Sequence, residues 1–298
     1  MFNGLSAFPL TPFTPDGDID DAGFQRLLER LVTAGVDSLG VLGSTGSYAY
    51  LTREQRKRVA ALAKAQAGAI PMMVSIGAVS TRQVLDLADD AQHAGADGLL
   101  LPAMSYQTLT EEEVYGLFDT VSRHVSVPVC VYDNPGTTHF TFSDELHGRI
   151  AALPRIGSIK IPGVPAEAAA ANARVQQLRE KIPATVTLGI SGDAFAGLGL
   201  NAGCEVWYSV CGGLFPQTAK AITDAAARGD KAQVTALTER LAPLWALFRR
   251  HGGSLRVMAA AAGVLGLVSP TCLPRPLKPL SAQDCAEIAA VIEALGLR

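Results

Sequence analysis

The amino-acid sequence predicts one (β/α)₈ barrel followed by a helical extension. Three observations support this prediction: one phrase recurs along the chain, eight short apolar runs alternate with helical patterns, and the length suits a barrel. The chain has 298 residues, of which 48% are hydrophobic and 18% charged, enough apolar material for a large core. We expect the barrel to span residues 1–229 and a segment of about three helices to span 230–298.

The recurring phrase is a helical pattern, then Ala-Gly, then a short apolar run. It occurs at Ala34-Gly35, Ala94-Gly95 and Ala202-Gly203, and more loosely at Ala67-Gly68. A glycine just after a helix can adopt the left-handed conformation that ends it. Apolar runs without alternation are typical of parallel strands that are covered on both faces.

The predicted elements alternate regularly along the chain. The predicted strands lie at residues 5–10, 38–43, 71–77, 97–102, 127–133, 156–161, 185–190 and 205–210. The helical patterns between them include residues 20–33, 52–67, 80–93, 110–124, 165–181 and 216–228. Two of these patterns begin with capping sequences, Thr52-Arg-Glu-Gln55 and Thr110-Glu-Glu-Glu113. Eight βα units favour a closed barrel over an open doubly wound sheet, and no G-x-G-x-x-G follows a strand.

Charge and composition exclude several classes of partner. The formal net charge is −3, so neither nucleic acid nor an anionic membrane surface is an expected partner. The longest apolar stretch, Val257–Val268, is shorter than the roughly 18 residues that a membrane-spanning helix needs. Five cysteines without a CxxC pair fit free thiols in a reducing cytoplasm, and the five histidines form no metal-binding motif.

Chemistry in such a barrel is expected at the carboxyl ends of the strands. The second predicted strand ends in Gly43-Ser44-Thr45-Gly46, where two glycines flank two hydroxyl groups. Such a loop can turn sharply and present amides and hydroxyls to an anion. A tight βα turn with a capping hydroxyl explains the same motif about equally well.

A phenol and a lysine lie at the ends of the fifth and sixth predicted strands. Tyr132 follows an apolar run, where a phenol can relay protons, although a packed and hydrogen-bonded tyrosine is the commoner case. Lys160 lies inside the apolar segment Ile156–Pro162, and burying an ammonium group there is costly. A desolvated amine is a nucleophile, whereas a lysine that reaches the rim or pairs with a carboxylate is the alternative.

Together, the anion cradle, the phenol and the lysine match imine chemistry on a 2-oxo acid. The loop would hold the carboxylate, the amine would attack the ketone, and the phenol would move protons. The sequence therefore predicts an enzyme that forms a Schiff base between Lys160 and pyruvate or a related small 2-oxo acid.

The sequence resembles the dihydrodipicolinate synthase / N-acetylneuraminate lyase family of class I pyruvate-dependent lyases. The resemblance runs from Ala7–Phe13 to the end of the chain. Its motifs are Gly43-Ser-Thr-Gly46, Tyr132-Asp-Asn-Pro135, Ile159-Lys160 and Ser191-Gly-Asp193. It implies an aldolase or dehydratase on a barrel fold, assembled as a homotetramer or a dimer, with no external cofactor or metal.

The resemblance also implies a role for each matching residue. Lys160 would form the Schiff base, and Tyr132 would move protons between the imine and the substrate. Ser44 and Thr45 would hold the pyruvyl carboxylate, and Thr45 would link Tyr132 to a second tyrosine from a neighbouring subunit. Tyr106 is the best candidate for that second tyrosine.

Two departures from the family pattern bear on the substrate. Ser47 replaces a common glutamate after the cradle, which indicates a local rearrangement of the loop. Thr137 stands where the synthase has an arginine that binds the carboxylate of its aldehyde substrate, and threonine cannot replace that bidentate grip. A hydroxylated 2-oxo acid, such as a 2-oxo-3-deoxy sugar acid, fits better, with hydroxyl contacts to Thr137, Thr138 or His139.

Three alternatives remain open. One is the synthase itself, condensing pyruvate with aspartate semialdehyde, and another is a hydrolytic deaminase of a cyclic imine acid. The third is a barrel that binds or regulates without catalysis, against which the joint presence of Lys160, Tyr132 and Thr45 argues. The sequence does not choose between cleavage of a C–C bond and loss of water.

Overall fold

The computed structural model describes residues 2–298 and contains a closed barrel of eight parallel strands in chain order. The strands are β1 Gly4–Ala7, β2 Ser38–Val41, β3 Met72–Ser75, β4 Gly98–Pro102, β5 Val129–Tyr132, β6 Ile156–Ile161, β7 Thr187–Ile190 and β8 Val206–Ser209. Strand β8 pairs with β1 and closes the barrel. All eight predicted strands are confirmed, most of them shorter than the apolar run that predicted them.

Helices follow the strands on the outside of the barrel. They are α1 Asp21–Ala34, α2 Arg53–Ala67, α3 Thr81–His93, α4 Glu111–His124, α5 Pro135–Thr138, α6 Asp144–Ala151, α7 Ala168–Arg179, α8 Ala196–Asn201 and α9 Pro216–Ala227. Both predicted capping boxes are present, at Thr52 and Thr110. Gly35 ends α1 in the left-handed conformation, with φ of 65°, as the recurring Ala-Gly phrase predicts.

Three of these helices, the short α5 together with α6 and α8, were not among the predicted helical patterns. Helix α8 contains Gly197 and Gly199, and glycine inside a helix disfavours it by about 1 kcal/mol relative to alanine. Packing requires both glycines. A Cβ atom on Gly197 would lie 2.7 Å from Oγ1 of Thr238, and one on Gly199 would lie 2.6 Å from Cγ1 of Ile190. Tertiary contacts, not local propensity, therefore explain this helix.

The core has two parts. The larger part lies between the outer face of the strands and the surrounding helices. The smaller part, which we term the lumen cluster, fills the barrel interior and comprises Phe8, Met73, Leu100, Cys130, Tyr132, Val206 and Tyr208. Lys160 on β6 is in register with Tyr132 of this cluster and its Nζ lies near the rings of Phe8 and Tyr208, so its side chain also faces the lumen.

The C-terminal segment contains four helices instead of the predicted three: α10 Lys231–Arg240, α11 Ala242–Arg250, α12 Ser254–Val264 and α13 Ala282–Leu295. Leu241 separates α10 from α11, and Pro243 in the first turn of α11 lacks the N–H that a continuous helix would use. A proline-rich turn, residues 270–276, lies between α12 and α13. Helix α10 packs against the barrel helices α8 and α9. The division of the chain into a barrel and a separate helical segment at residue 229 stays a prediction.

Two further observations concern membrane-spanning helices and the cysteines. Among residues 2–298, no helix combines the length and the hydrophobicity needed to cross a bilayer. All five cysteines are free thiols, and four of them are buried.

Candidate active site

Lys160 projects from β6 into the lumen and is only 5% exposed. Its Nζ lies 4.1 Å from the ring centroid of Phe8, 4.5 Å from that of Tyr132 and 5.7 Å from that of Tyr208. None of the ion pairs among residues 2–298 involves this amine. Aromatic faces attract a cation, by about 0.5–2 kcal/mol each, but they carry no negative charge that could pair with the ammonium group as a carboxylate would. The amine is therefore enclosed and held beside a phenol without a counter-ion.

The strands on either side of β6 explain this position. Lys160 is in register with Tyr132 on β5 and with Gly189 on β7. A Cβ atom on Gly189 would lie 2.2 Å from Cε2 of Tyr208, so only glycine leaves room for the Tyr208 ring beneath the lysine. The Tyr208 hydroxyl lies 2.6 Å from Oγ of Ser158, one layer lower in the lumen. The floor of the site is thus closed by an aromatic ring that is itself hydrogen-bonded.

Tyr132 ends β5, and its phenol oxygen has a hydrogen-bond donor that sequence reasoning did not assign. Nδ2 of Asn134 donates to this oxygen over 2.7 Å. Because the phenol oxygen accepts this bond, its own proton is free to point elsewhere. Thr45, which the resemblance links to Tyr132, is buried but forms no hydrogen bond with it among residues 2–298.

A buried ionisable pair anchors the same loop on its outer side. The backbone N–H of Asp133 donates to the carbonyl of Lys160 over 3.1 Å, which ties the end of β5 to β6. The Asp133 carboxylate lies 3.3 Å from Nε2 of His147 on α6, and the His147 ring stacks on Phe142. Neither residue was predicted, because their contact depends on a helix that the sequence pattern did not reveal.

The residues of the predicted anion cradle form a tight loop after β2. The N–H of Ser47 donates to the carbonyl of Ser44 over 3.1 Å, and a Cβ atom on Gly46 would lie 2.9 Å from the backbone nitrogen of Leu42. The N–H groups of Ser44 and Thr45 take part in no backbone–backbone hydrogen bond within residues 2–298. Free amides beside hydroxyls suit a carboxylate ligand.

The loop is also strained. Leu42 and Ser47 both adopt left-handed backbone conformations, with φ of 58° and 55°. This conformation is rare for residues other than glycine and tends to occur at functional sites. Ser47 is therefore one of the two residues with a left-handed backbone on which this loop turns.

Phe8 brings the cradle and the lysine together. A Cβ atom on Gly43 would lie 2.6 Å from Cδ1 of Phe8, so the ring packs against the cradle. Nζ of Lys160 lies 4.1 Å from the centroid of the same ring. Phe8 lies in the segment Ala7–Phe13 that carries part of the resemblance, but no pattern in the sequence indicates a role for it. The structure therefore places Lys160, Tyr132, Phe8 and the Ser44–Thr45 loop around one end of the lumen.

The other predicted site residues lie further out. Tyr106, in the loop between β4 and α4, is 88% exposed and takes part in no site within its own chain. Thr137 in α5 and His139 directly after it are exposed, and the Thr137 hydroxyl donates to the Asn134 carbonyl over 3.3 Å. Thr138 is buried, and its hydroxyl donates to the same carbonyl over 3.0 Å, which leaves it without access to a substrate.

Asp193, from the Ser191-Gly-Asp193 motif, holds the ends of β7 and β8 together. Its carboxylate accepts hydrogen bonds from Nε1 of Trp207 and from the backbone N–H groups of Val210 and Cys211, over 3.0, 3.3 and 2.7 Å. Burial raises the pKa of this carboxyl from 3.8 to about 6, although the three donors oppose the rise.

We expect this pKa to be measurable as a pH-dependent stability difference between the protein and its Asp193→Asn variant. The folded state binds the proton more tightly than the unfolded chain, so the side chain's contribution falls as pH rises from about 4 to about 6. Urea unfolding at several pH values should show the free energy of unfolding of wild type, relative to the variant, declining across this interval by on the order of 3 kcal/mol. A difference that stays constant or rises would contradict the assignment.

Comparisons with known proteins point to one family. The model of the dihydrodipicolinate synthetase family matches residues 1–295. A 4-hydroxy-tetrahydrodipicolinate synthase of Gluconacetobacter diazotrophicus is 31% identical over 303 residues, covering 100% of this chain and 98% of that protein. A crystal structure of dihydrodipicolinate synthase from Agrobacterium tumefaciens is 43% identical, with a TM-score of 0.94, covering 99% of this chain and 98% of that one. A prophage protein from E. coli K12, solved in complex with pyruvate, is 26% identical, with a TM-score of 0.90 and 100% of both chains covered.

Fold and comparisons together define an enzyme of the class I aldolase and dehydratase type, a lyase built on a (β/α)₈ barrel. The chain belongs to the dihydrodipicolinate synthetase family, over nearly its whole length. The resemblance inferred from the four short motifs is confirmed.

Proposed function

We propose that this enzyme forms a Schiff base between Lys160 and a 2-oxo acid, and that its substrate is a hydroxylated 2-oxo acid such as a 2-oxo-3-deoxy sugar acid. The enclosed amine beside Tyr132 supports the first part. The relative that was solved in complex with pyruvate supports it as well. The replacement of the synthase arginine by Thr137 carries the second part.

The chemistry follows from the positions of the groups. The free amides and hydroxyls of Ser44 and Thr45 hold the carboxylate, and the amine of Lys160 attacks the C2 ketone. Tyr132 gives a proton to the hydroxyl of the resulting carbinolamine, which leaves as water and yields the imine. The imine draws electrons from C3. Loss of a C3 proton gives an enamine that expels a C4 hydroxyl as water, whereas loss of the C4 hydroxyl proton allows the C3–C4 bond to break.

The distal end of the substrate decides between the candidate functions. An arginine would provide a bidentate, charge-assisted contact to a distal carboxylate, whereas Thr137 offers one exposed hydroxyl. The Thr137 hydroxyl donates to the Asn134 carbonyl and so can accept a hydrogen bond from a substrate hydroxyl. His139, also exposed, provides a second polar group on the same loop.

The names of the relatives favour the second candidate, 4-hydroxy-tetrahydrodipicolinate synthase. The relative from Gluconacetobacter diazotrophicus carries that name, and the 43% identical structure is named as a dihydrodipicolinate synthase. In this candidate the enamine of pyruvate would attack aspartate semialdehyde instead of being protonated. The missing arginine is the observation against it.

The deciding experiment is a comparison of kcat/KM for pyruvate with aspartate semialdehyde and for a panel of 2-oxo-3-deoxy acids. We expect weak or absent condensation with the semialdehyde and measurable turnover of at least one hydroxylated acid. Thr137→Arg should raise kcat/KM for the semialdehyde by about tenfold or more, since a charge-assisted contact contributes roughly 1.5–3 kcal/mol. Thr137→Ser, which keeps the hydroxyl, is the matched control. A tenfold or greater preference of the wild type for the semialdehyde would make the preferred substrate class wrong.

Assembly and compartment stay predictions. A homotetramer or dimer would give the exposed Tyr106 a site to reach in a neighbouring copy. The free thiols are compatible with the predicted reducing cytoplasm.

A further inference from the structure

Tyr48 is a second tyrosine at the mouth of the barrel that the proposed chemistry does not yet use. It begins the short 3₁₀ helix Tyr48–Tyr50, directly after the strained Ser47 that ends the anion cradle. Tyr48 is 7% exposed, whereas Tyr50 in the same turn is 46% exposed. One of the two rings is thus turned into the protein beside the site.

The contacts of the Tyr48 ring place it next to the strand that neighbours β5. A Cβ atom on Gly77, just after β3, would lie 2.8 Å from Cε2 of Tyr48 and 2.3 Å from Cγ of Pro102. The ring edge that carries the hydroxyl therefore meets the end of β4. Pro102 is in register with Tyr132 across the β4–β5 pair, so the Tyr48 ring lies beside the strand end that neighbours Tyr132.

Arg56 fixes this arrangement from α2. Its guanidinium lies 5.4 Å from the ring centroid of Tyr48 and donates hydrogen bonds to the carbonyls of Gly77 and Ser75, over 2.9 and 2.8 Å. Burial raises the pKa of the Tyr48 phenol, the nearby Tyr132 phenol raises it further, and Arg56 opposes the rise. Tyr48 is therefore a neutral hydroxyl, which can accept one proton while it donates another.

Tyr48 also borders a cleft next to the site. It lines a cleft of about 440 Å³ whose other wall includes the exposed residues Arg53 and Val79. Among residues 2–298 the Tyr48 hydroxyl has no hydrogen-bond partner, so it is available to water in this cleft.

We propose that Tyr48 is the second phenol of the proton relay, supplied by the same chain, and that it acts through Tyr132. When Tyr132 protonates the carbinolamine hydroxyl, Tyr48 passes a proton to Tyr132 through an intervening water and takes one from water in the cleft. The number of protons is conserved at each phenol, and no phenolate of Tyr48 accumulates. In the later proton abstraction the same steps run in reverse. This inference rests on the proposed Schiff-base function, and it makes Tyr48 a positioning and relay residue that need not touch the substrate.

The test is Tyr48→Phe, which removes one hydroxyl and leaves the buried ring in place. We expect kcat to fall by about tenfold or more, since proton-relay help contributes roughly 10²–10⁴-fold in full. KM for the 2-oxo acid, the thermal midpoint and the yield of borohydride-trapped adduct on Lys160 should stay at wild-type values. Tyr50→Phe, the exposed neighbour in the same turn, is the matched control and should leave kcat unchanged.

Two results would overturn the inference. One is wild-type kcat in Tyr48→Phe, above all if Tyr106→Phe loses activity instead, which would assign the relay to a neighbouring subunit. The other is a rise in KM at constant kcat, which would indicate that Tyr48 only supports the cradle. Failure of the proposed function is distinct from both, because the wild-type protein would then give no trapped adduct at Lys160.

Discussion

Replacement of Lys160 by methionine is expected to abolish turnover, with a loss of at least about 10³-fold, because the covalent route depends on that one amine. Methionine has a similar length and volume, and Lys160 forms no ion pair whose partner would be left unpaired in the lumen. The variant should therefore fold, with unchanged circular dichroism and a thermal midpoint at or above that of the wild type. Steady-state turnover of the best substrate is the measurement.

Lys57→Met is a suitable control for this experiment. Lys57 lies on α2 with its side chain 45% exposed, and its exchange removes one positive charge without touching the lumen. It should keep wild-type activity. Turnover by Lys160→Met within tenfold of the wild type would remove the lysine from the mechanism.

Tyr132→Phe is expected to lower kcat by about 10²-fold or more, the usual range for losing general acid–base help. The ring that faces Lys160 stays in place, so binding of the 2-oxo acid and formation of the adduct at equilibrium should persist. Asn134 loses the acceptor of its 2.7 Å hydrogen bond, which costs on the order of 1 kcal/mol of stability.

The contrast with a distant tyrosine separates catalysis from packing. Tyr115 lies on α4, where its ring contacts Arg149, and Tyr115→Phe should leave kcat unchanged. If Tyr132→Phe turned over near the wild-type rate, the residue would have a packing role and the proton relay would need another origin.

The barrel could be predicted from the sequence because its signals are local. Each of the four Ala-Gly joints combines a helix end with a strand start, and eight apolar runs that alternate with helical patterns leave little choice of fold. Helix α8 could not be predicted in the same way, because its two glycines oppose helix formation and only the side chains of Thr238 and Ile190 require them. The break at Leu241 was missed although Pro243 marks it, since a proline in the first turn also fits the start of a longer helix pattern.

In the candidate site, too, some residues could be predicted from local sequence and others could not. Lys160 stands out because a lysine conflicts with an apolar strand, and Tyr132 stands out because its phenol lies at the end of the preceding strand, where such a lysine would need a proton relay. Asn134 gives no such signal, since its contact with Tyr132 depends on how the loop turns back after β5. Phe8 looks like any core residue until the fold brings it against both Gly43 and Lys160.

The other residues near the site could not be predicted because their contacts join segments that are separated in the chain. His147 lies 14 residues beyond Asp133 in the chain, on a helix that local propensity did not predict, and only the packing of α6 against the barrel joins them. Tyr48 has a neighbour of the same residue type two positions on, and the sequence does not reveal which of the two rings is buried. Roles that depend on burial and on contacts between strands needed the structure.

The most direct measurement of the central claim is mass spectrometry of peptides after incubation with pyruvate and sodium borohydride. Borohydride converts an imine into a stable secondary amine, so the modified residue can be mapped. We expect the peptide that contains Lys160 to gain the mass of one reduced pyruvyl group in the wild type, and no peptide to gain it in Lys160→Met. An unmodified Lys160 peptide, or an adduct that maps to another lysine and survives the Lys160→Met exchange, would contradict the Schiff-base mechanism.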